Sequence, residues 1–402
     1  MDRVDENAEG SEAKEVFPQD QGGDVGHRRL PPAMPRNPAV AAHENRLRNP
    51  AKFGLDRKQS FGVPKIKNHK ELLKGMFQKK EGGMPSLKER EASAFHVGGA
   101  GTSAFPGANV PSMKSFEPLP WSDYFDDLRA LETERGSFGV YVAGWPAEGQ
   151  EPRPVIFAVH GGGYTGLTWS LLAKRLKDKY AVVAMDLRSH GQSEQSDDFS
   201  IGAMAQDACS VWNHLCGETK PKTVVLGHSL GGAVAIHVSS LDKIPSLAGT
   251  VVIDVVEGTA LASLPYMGQV IGRRPDRFSS VQDFVKYAYT SGLTKNFEAA
   301  RVSGASQVVQ DEDGQGWRWR TDLRKTEKWW REWYEGLSAK FLSVPAPKLL
   351  LLAGTDRLDK ELTIGHMAGK FQLKVLPAGH AIQEDEPEKT ADAVDEFIQR
   401  YL

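Results

Sequence analysis

The chain has 402 residues, 40% of them hydrophobic and 25% charged, with a formal net charge of −2. That balance excludes a globally basic nucleic-acid binder, and two cysteines, Cys209 and Cys216, exclude a disulfide framework and favour a reducing compartment. No apolar run approaches the roughly 18 residues of a membrane span, and the opening MDRVDENAEGSEAKE lacks an apolar signal region. A cytoplasmic or nuclear protein is therefore expected, not secreted, with neither nucleic acid nor membrane as partner.

The length exceeds what one ordinary domain needs. Residues 1–115 account for part of the surplus. Asp2, Asp5, Glu6, Glu9, Glu12, Glu15, Asp20 and Asp24 make the start acidic, and the sign flips through RRLPPAMPRNPAV and PKIKNHKELLKGMFQKKEGG. Such a segment buries too little apolar surface to offset the entropy of ordering, so a disordered tail is expected. Within it, KIKNHK at 65–70 reads as a nuclear-localisation patch, and Leu72, Leu73, Met76 and Phe77 as a docking helix.

Order is expected to begin near FEPLPWSDYF and to run as one domain over 116–402. The strand FGVYVAG comes first, then VIFAV (155–159), AVVAM (181–185), TVVLG (223–227), GTVVID (249–254), KLLLLAG (348–354) and LKVLP (373–377). These runs are apolar on both faces, as buried parallel strands are. Helices are predicted over 169–178, 201–215, 230–241 and 388–402. The alternation predicts an α/β protein with a mostly parallel central sheet and helices on both faces. An insertion over about 260–345 interrupts it. SSVQDFVKYAYTSGL and TDLRKTEKWWREWYEGLSAKFL read there as amphipathic helices, and DEDGQG as a mobile loop.

Gly227-His228-Ser229-Leu230-Gly231 carries the strongest chemical signal. Alone the pattern is weak, but TVVL leads into it and AVAIHVSS leads out. A strand–turn–helix elbow of this kind exposes a strained serine nucleophile at a helix N-terminus. His160-Gly161-Gly162-Gly163-Tyr164 follows VIFAV and suits an oxyanion hole, with Gly162, Gly163 or Tyr164 supplying one backbone N–H and Leu230 another. A phosphate loop would need a Lys-Ser/Thr pair that is missing here. His380, after the last strand, lies where a general base belongs in the order Ser…acid…His. Asp254 and Asp356 each follow a strand and each suits the acid, and position after the penultimate strand favours Asp356. Ester hydrolysis through an acyl-enzyme follows, without metal or organic cofactor.

HGGG with Tyr164, DLRSHGQS (186–193), GHSLGGAVAIH, IDVVEGTA (253–260), RWR…KTEKWW, PKLLLLAGTDRLDKELTIG and GKFQLKVLPAGHAIQEDEP together resemble the protein phosphatase methylesterase family, over roughly 70% of the chain from Trp121 onward. The resemblance implies an α/β-hydrolase fold with an inserted helical cap. It also implies removal of the methyl ester from the C-terminal leucine of the type 2A protein phosphatase catalytic subunit. It maps the triad onto Ser229, Asp254 and His380, so the acid becomes Asp254, and Asp356 becomes a structural acid paired with Arg357 or Arg188. An active site completed only when the phosphatase docks, and a mobile cap loop, are implied as well. Five of the nine tryptophans fall in the insertion, and Trp317, Trp319 and Trp330 are candidate contacts for an apolar C-terminus. Arg273, Arg274 and Arg277 are candidates to grip acidic partner residues. The rival functions are a general small-ester hydrolase and a phosphatase-binding scaffold with a vestigial site.

Overall fold

A computed structural model of the protein describes residues 113–354 and 357–402. The expected tail, with its KIKNHK patch and the 72–77 segment, lies outside the described residues apart from 113–115, and so does Asp356.

The first strand was not anticipated. β1 (Asp127–Thr133) pairs antiparallel with β2 (Gly136–Ala143), and its DLRALET alternates charged and apolar residues, which suits the sheet edge it occupies. The chain continues through β3 (Val155–Val159), α1 (Ser170–Leu176), β4 (Ala181–Met185), α2 (Ile201–Cys216), β5 (Thr223–His228), α3 (Leu230–Ser240) and β6 (Leu247–Ile253). The strands among them follow the predicted runs closely because each is a short apolar segment between turn residues.

Residues 257–343 depart from an all-helical expectation. They form α4 (Glu257–Gly272), β7 (Arg277–Phe278), α5 (Val281–Thr290), α6 (Phe297–Val302), β8 (Val308–Gln310), β9 (Trp317–Trp319), α7 (Trp330–Tyr334) and α8 (Leu337–Ser343). The three strands make a small antiparallel sheet in the order β7-β9-β8. DEDGQG is the turn of its hairpin, closed by Asp311 N–H to Gly316 O (2.8 Å) and Gly314 N–H to Asp311 O (2.9 Å). The single helix expected over TDLRKTEKWWREWYEGLSAKFL is broken into a 3-10 segment (Leu323–Trp329), α7 and α8. Gly336 at φ +75° marks the second break, since a left-handed residue cannot continue a right-handed helix.

β10 (Lys348–Leu352), α9 (Lys360–Met367), β11 (Gln372–Val375), α10 (Ile382–Asp385) and α11 (Pro387–Tyr401) complete the fold. The eight-stranded sheet runs β1-β2-β4-β3-β5-β6-β10-β11, parallel from β4 onward. Both faces are covered. Val155, Phe157 and Val159 face a core shared with α2 and α3, while Ile156 and Ala158 face one shared with α1 and α11. Alternation along fully buried strands thus splits the core into two layers.

Candidate active site

From β3 the chain winds outward to β4, whereas β5 leads the other way to β6 and β10. The order therefore reverses between β3 and β5, and open α/β sheets bind ligands in the crevice beyond such a switch point. The His160–Tyr164 loop leaves β3 and the Ser229 elbow leaves β5 side by side, with Val159 opposite Gly227.

The elbow is tight. Ser229 has φ +52° and ψ −121°, a strained conformation for a residue with a side chain, and α3 begins directly after it. A methyl on Gly227 would lie 2.0 Å from Gly231 O, one on Gly231 would lie 2.2 Å from Val159 O, and one on Gly232 would lie 2.7 Å from Val255 Cγ1. These three glycines let β3, β5 and α3 close up behind the serine.

Asp254 also has a positive φ, +54°, at the end of β6, and its backbone N–H donates to Leu351 O at 2.8 Å. Its carboxylate is buried and accepts the His380 Nδ1–H at 2.8 Å and the Ala353 N–H at 3.1 Å. With Nδ1 protonated for that bond, the basic lone pair of His380 is on Nε2. Arg357 forms an ion pair with the same carboxylate. Burial pushes the Asp254 carboxyl up, but the His380 hydrogen bond and charge, then Arg357 and Ala353, outweigh it and hold the group below the usual carboxylate range. Arg188 grips Asp207 with Nε and Nη2, one edge of its guanidinium, at 2.6 and 2.8 Å. Arg357 and Arg188, the two arginines expected beside Asp356, thus meet Asp254 and Asp207, while Asp356 itself lies outside the described residues.

The four expected oxyanion donors divide. The Gly163 N–H donates to His190 Nε2 at 3.0 Å and the Tyr164 N–H to Gly161 O at 3.1 Å, so neither points at an incoming oxyanion. Among the described residues, Gly162 and Leu230 have backbone N–H groups with no such acceptor, and a methyl on Gly162 would lie 3.7 Å from the Leu230 side chain. Two further histidines hold the loop. His160 accepts the Leu187 N–H on Nε2 at 2.9 Å and donates Nδ1–H to Gly161 O at 2.8 Å. His228 donates Nε2–H to His380 O at 2.9 Å and packs edge-on against Tyr164. Burial, then the charge of His380, drives the His228 imidazole down to about 3, so it is neutral and positions rather than titrates. The sequence reading also missed Tyr334. This residue of α7 is buried and its hydroxyl contacts the Ser229 side chain.

The tryptophans separate by environment. Trp330 belongs to the main core, with its Nε1–H given to Thr326 Oγ1 at 2.7 Å, and is not open to a substrate. Trp317 packs into the small cluster around Phe278 and Phe284. Trp319 lines a cavity of about 620 Å³ together with Ile271, Arg274, Thr321, Leu323 and Arg324.

The model of the alpha/beta hydrolase family matches residues 155–393. Protein phosphatase methylesterase 1 from Rattus norvegicus is 38% identical over 370 residues, covering 80% of this chain and 93% of that one. The probable protein phosphatase methylesterase 1 of Caenorhabditis elegans is 42% identical over 294 residues (72% and 79%), and the Schizosaccharomyces pombe protein is 36% identical over 289 residues (70% and 84%). Among solved structures, E-2-(acetamidomethylene)succinate hydrolase superposes with a TM-score of 0.57 at 20% identity, covering 68% of this chain and 99% of that one. A thioesterase domain from the curacin biosynthetic pathway gives 0.51 at 18% identity, covering 67% and 98%. At those identities the likeness concerns the fold alone.

Proposed function

The chain belongs to the protein phosphatase methylesterase family, carboxylic ester hydrolases of the α/β-hydrolase fold, and from that premise we propose its substrate and catalytic residues. The substrate is the methyl ester on the C-terminal leucine of the type 2A protein phosphatase catalytic subunit. Ser229 is the nucleophile, His380 the general base and Asp254 the acid that orients it. The observation that carries this reading is the 2.8 Å bond from His380 Nδ1–H to Asp254, formed where β5 presents the strained Ser229.

The steps follow from those positions. His380 Nε2 takes the Ser229 proton as Oγ attacks the ester carbonyl, and the developing oxyanion is met by the N–H groups of Gly162 and Leu230. Asp254, held in its ionised form by His380 and then by Arg357, stabilises the imidazolium. Methanol leaves with the proton from His380, and water deacylates the serine by the same route in reverse. The test is methanol release from the methylated phosphatase catalytic subunit. Ser229→Ala is expected to lower the rate by about 10⁴-fold or more, and Asp254→Asn by about 10⁴-fold with the fold intact. Unchanged demethylation by Ser229→Ala would overturn the esterase reading.

A further inference from the structure

The cavity beside the glycine loop holds four arginines and three aspartates. Three of the arginines are answered. Arg277 and Arg318 both reach Asp311, at 2.8 and 3.3 Å, and Arg324 reaches Asp322 at 2.8 Å and Asp276 at 3.5 Å. Arg274 is different. Among the described residues no carboxylate lies within ion-pair distance of it, and its Nε is buried without a hydrogen-bond partner. Its guanidinium is stacked 5.0 Å over the Trp319 ring, which is itself fastened by Nε1–H to Pro275 O at 2.8 Å and boxed by Phe284 and Tyr287. The cation is thus held rigidly, at the cost of an unmet donor that folded proteins rarely tolerate. The phenols of Tyr164 and Tyr287, whose charge would act on it, do not answer it, because burial pushes both up and keeps them neutral.

A methyl on Gly163 would sit 3.9 Å from Arg274 Nη1 and 3.2 Å from Leu323 Cδ1, so this cavity wall adjoins the loop that carries Gly162. A C-terminal methyl ester has no charge at the reacting carbonyl, so a cation here matches a carboxylate farther back along the acyl chain. A space of about 620 Å³ lies within the range of ligand pockets and accommodates more than the terminal residue.

Resting on the esterase reading above, we infer that Arg274, braced on Trp319, is a specificity-determining residue that binds one Asp or Glu side chain of the peptide just upstream of the esterified terminus. Asp311, Asp276 and Asp322 neutralise the other arginines and leave one positive charge to be read. Acidic peptide esters are then preferred over isosteric amides, and bulk small esters gain nothing from the site.

The experiment compares paired short peptide methyl esters ending in leucine. Their upstream positions carry Asp or Glu in one set and Asn or Gln in the other, and kcat/KM is measured from methanol release with the full chain. The wild type is expected to favour the acidic member by about 10- to 100-fold, a charge-assisted bond against a neutral one, and less so at high salt. In Arg274→Gln the ratio of acidic to neutral falls to about 1, and Arg274→Lys restores part of it. A wild-type ratio near 1 overturns the inference without needing any variant to fold. So does an Arg274→Gln protein that slows both peptides alike and keeps the ratio. Failure to cleave any peptide ester or the methylated phosphatase, with small-ester turnover retained, overturns the functional reading itself rather than the role of Arg274 alone.

Discussion

Glu384 lies four residues after His380 and is a buried carboxyl whose Oε1 accepts the hydroxyls of Thr168 and Ser303, each at 2.6 Å. Burial raises it from 4.5 to about 7, only partly offset by those hydroxyls. Between these values the unfolded chain has released the proton and the folded chain retains it. Stability therefore falls as pH rises through that window. Glu384→Gln keeps an acceptor for both hydroxyls and removes the titration. The variant is expected to lose about 3 kcal/mol less unfolding free energy than the wild type between pH 4.5 and 8, measured by urea denaturation. Equal slopes would show that Glu384 ionises freely in the fold. Asp254 has the opposite sense, its depressed value contributing stability that is lost only in acid as pH falls through it. The proposed nucleophile and base were within reach of the sequence, but position after the penultimate strand favoured Asp356 over Asp254 as the acid. What supports Asp254 in the proposal is a hydrogen bond across 126 positions, and no local pattern reports a contact of that range.

At the scale of elements, glycines serve for two separable reasons. Gly231 has no room for a side chain, since a methyl would lie 2.2 Å from Val159 O and 2.4 Å from His160 O, both backbone atoms that cannot move aside. Gly231→Ala is expected to cost more than about 3 kcal/mol and to disable ester turnover by prying the glycine loop away from the elbow. Gly336 has open space around it but a φ of +75°. Gly336→Ala is expected to cost only about 1 kcal/mol, with activity preserved. Thermal unfolding with turnover measured alongside distinguishes the two, and similar losses would refute the separation. The family-specific strings prove to be one interlocked unit. Glu257 of IDVVEGTA accepts the N–H groups of Gly336 and Ser338, both at 2.9 Å. Asp359 of the later string accepts the Ser338 hydroxyl at 2.6 Å while capping α9 through Leu362 N–H. The strings were recognisable in sequence, but their mutual contacts were not, because they lie about 100 positions apart.

For the whole molecule, the inserted segment is tied into the core of the sheet rather than packed as a separate body. Trp333 is buried in the same apolar cluster as α2 and α3, and its Nε1–H donates to Phe199 O at 2.7 Å. Trp333→Ala is expected to cost about 3–5 kcal/mol and to lower the midpoint of a single cooperative transition seen by both fluorescence and circular dichroism. Two resolved transitions would mean that insert and sheet unfold independently.

The central strands, the flanking helices and the elbow were determined by sequence, because a buried parallel strand and a serine turn each have a local signature in apolar runs and glycine spacing. The break of the long helix at Gly336, the small sheet around Trp319, and the commitment of Arg357 to Asp254 belong to tertiary structure. So does the isolation of Arg274 among the described residues, a charge whose neighbours had to be placed before its lack of a carboxylate partner there could be seen. These depend on which distant segments meet, and that is settled by how the two core layers pack rather than by any stretch of sequence.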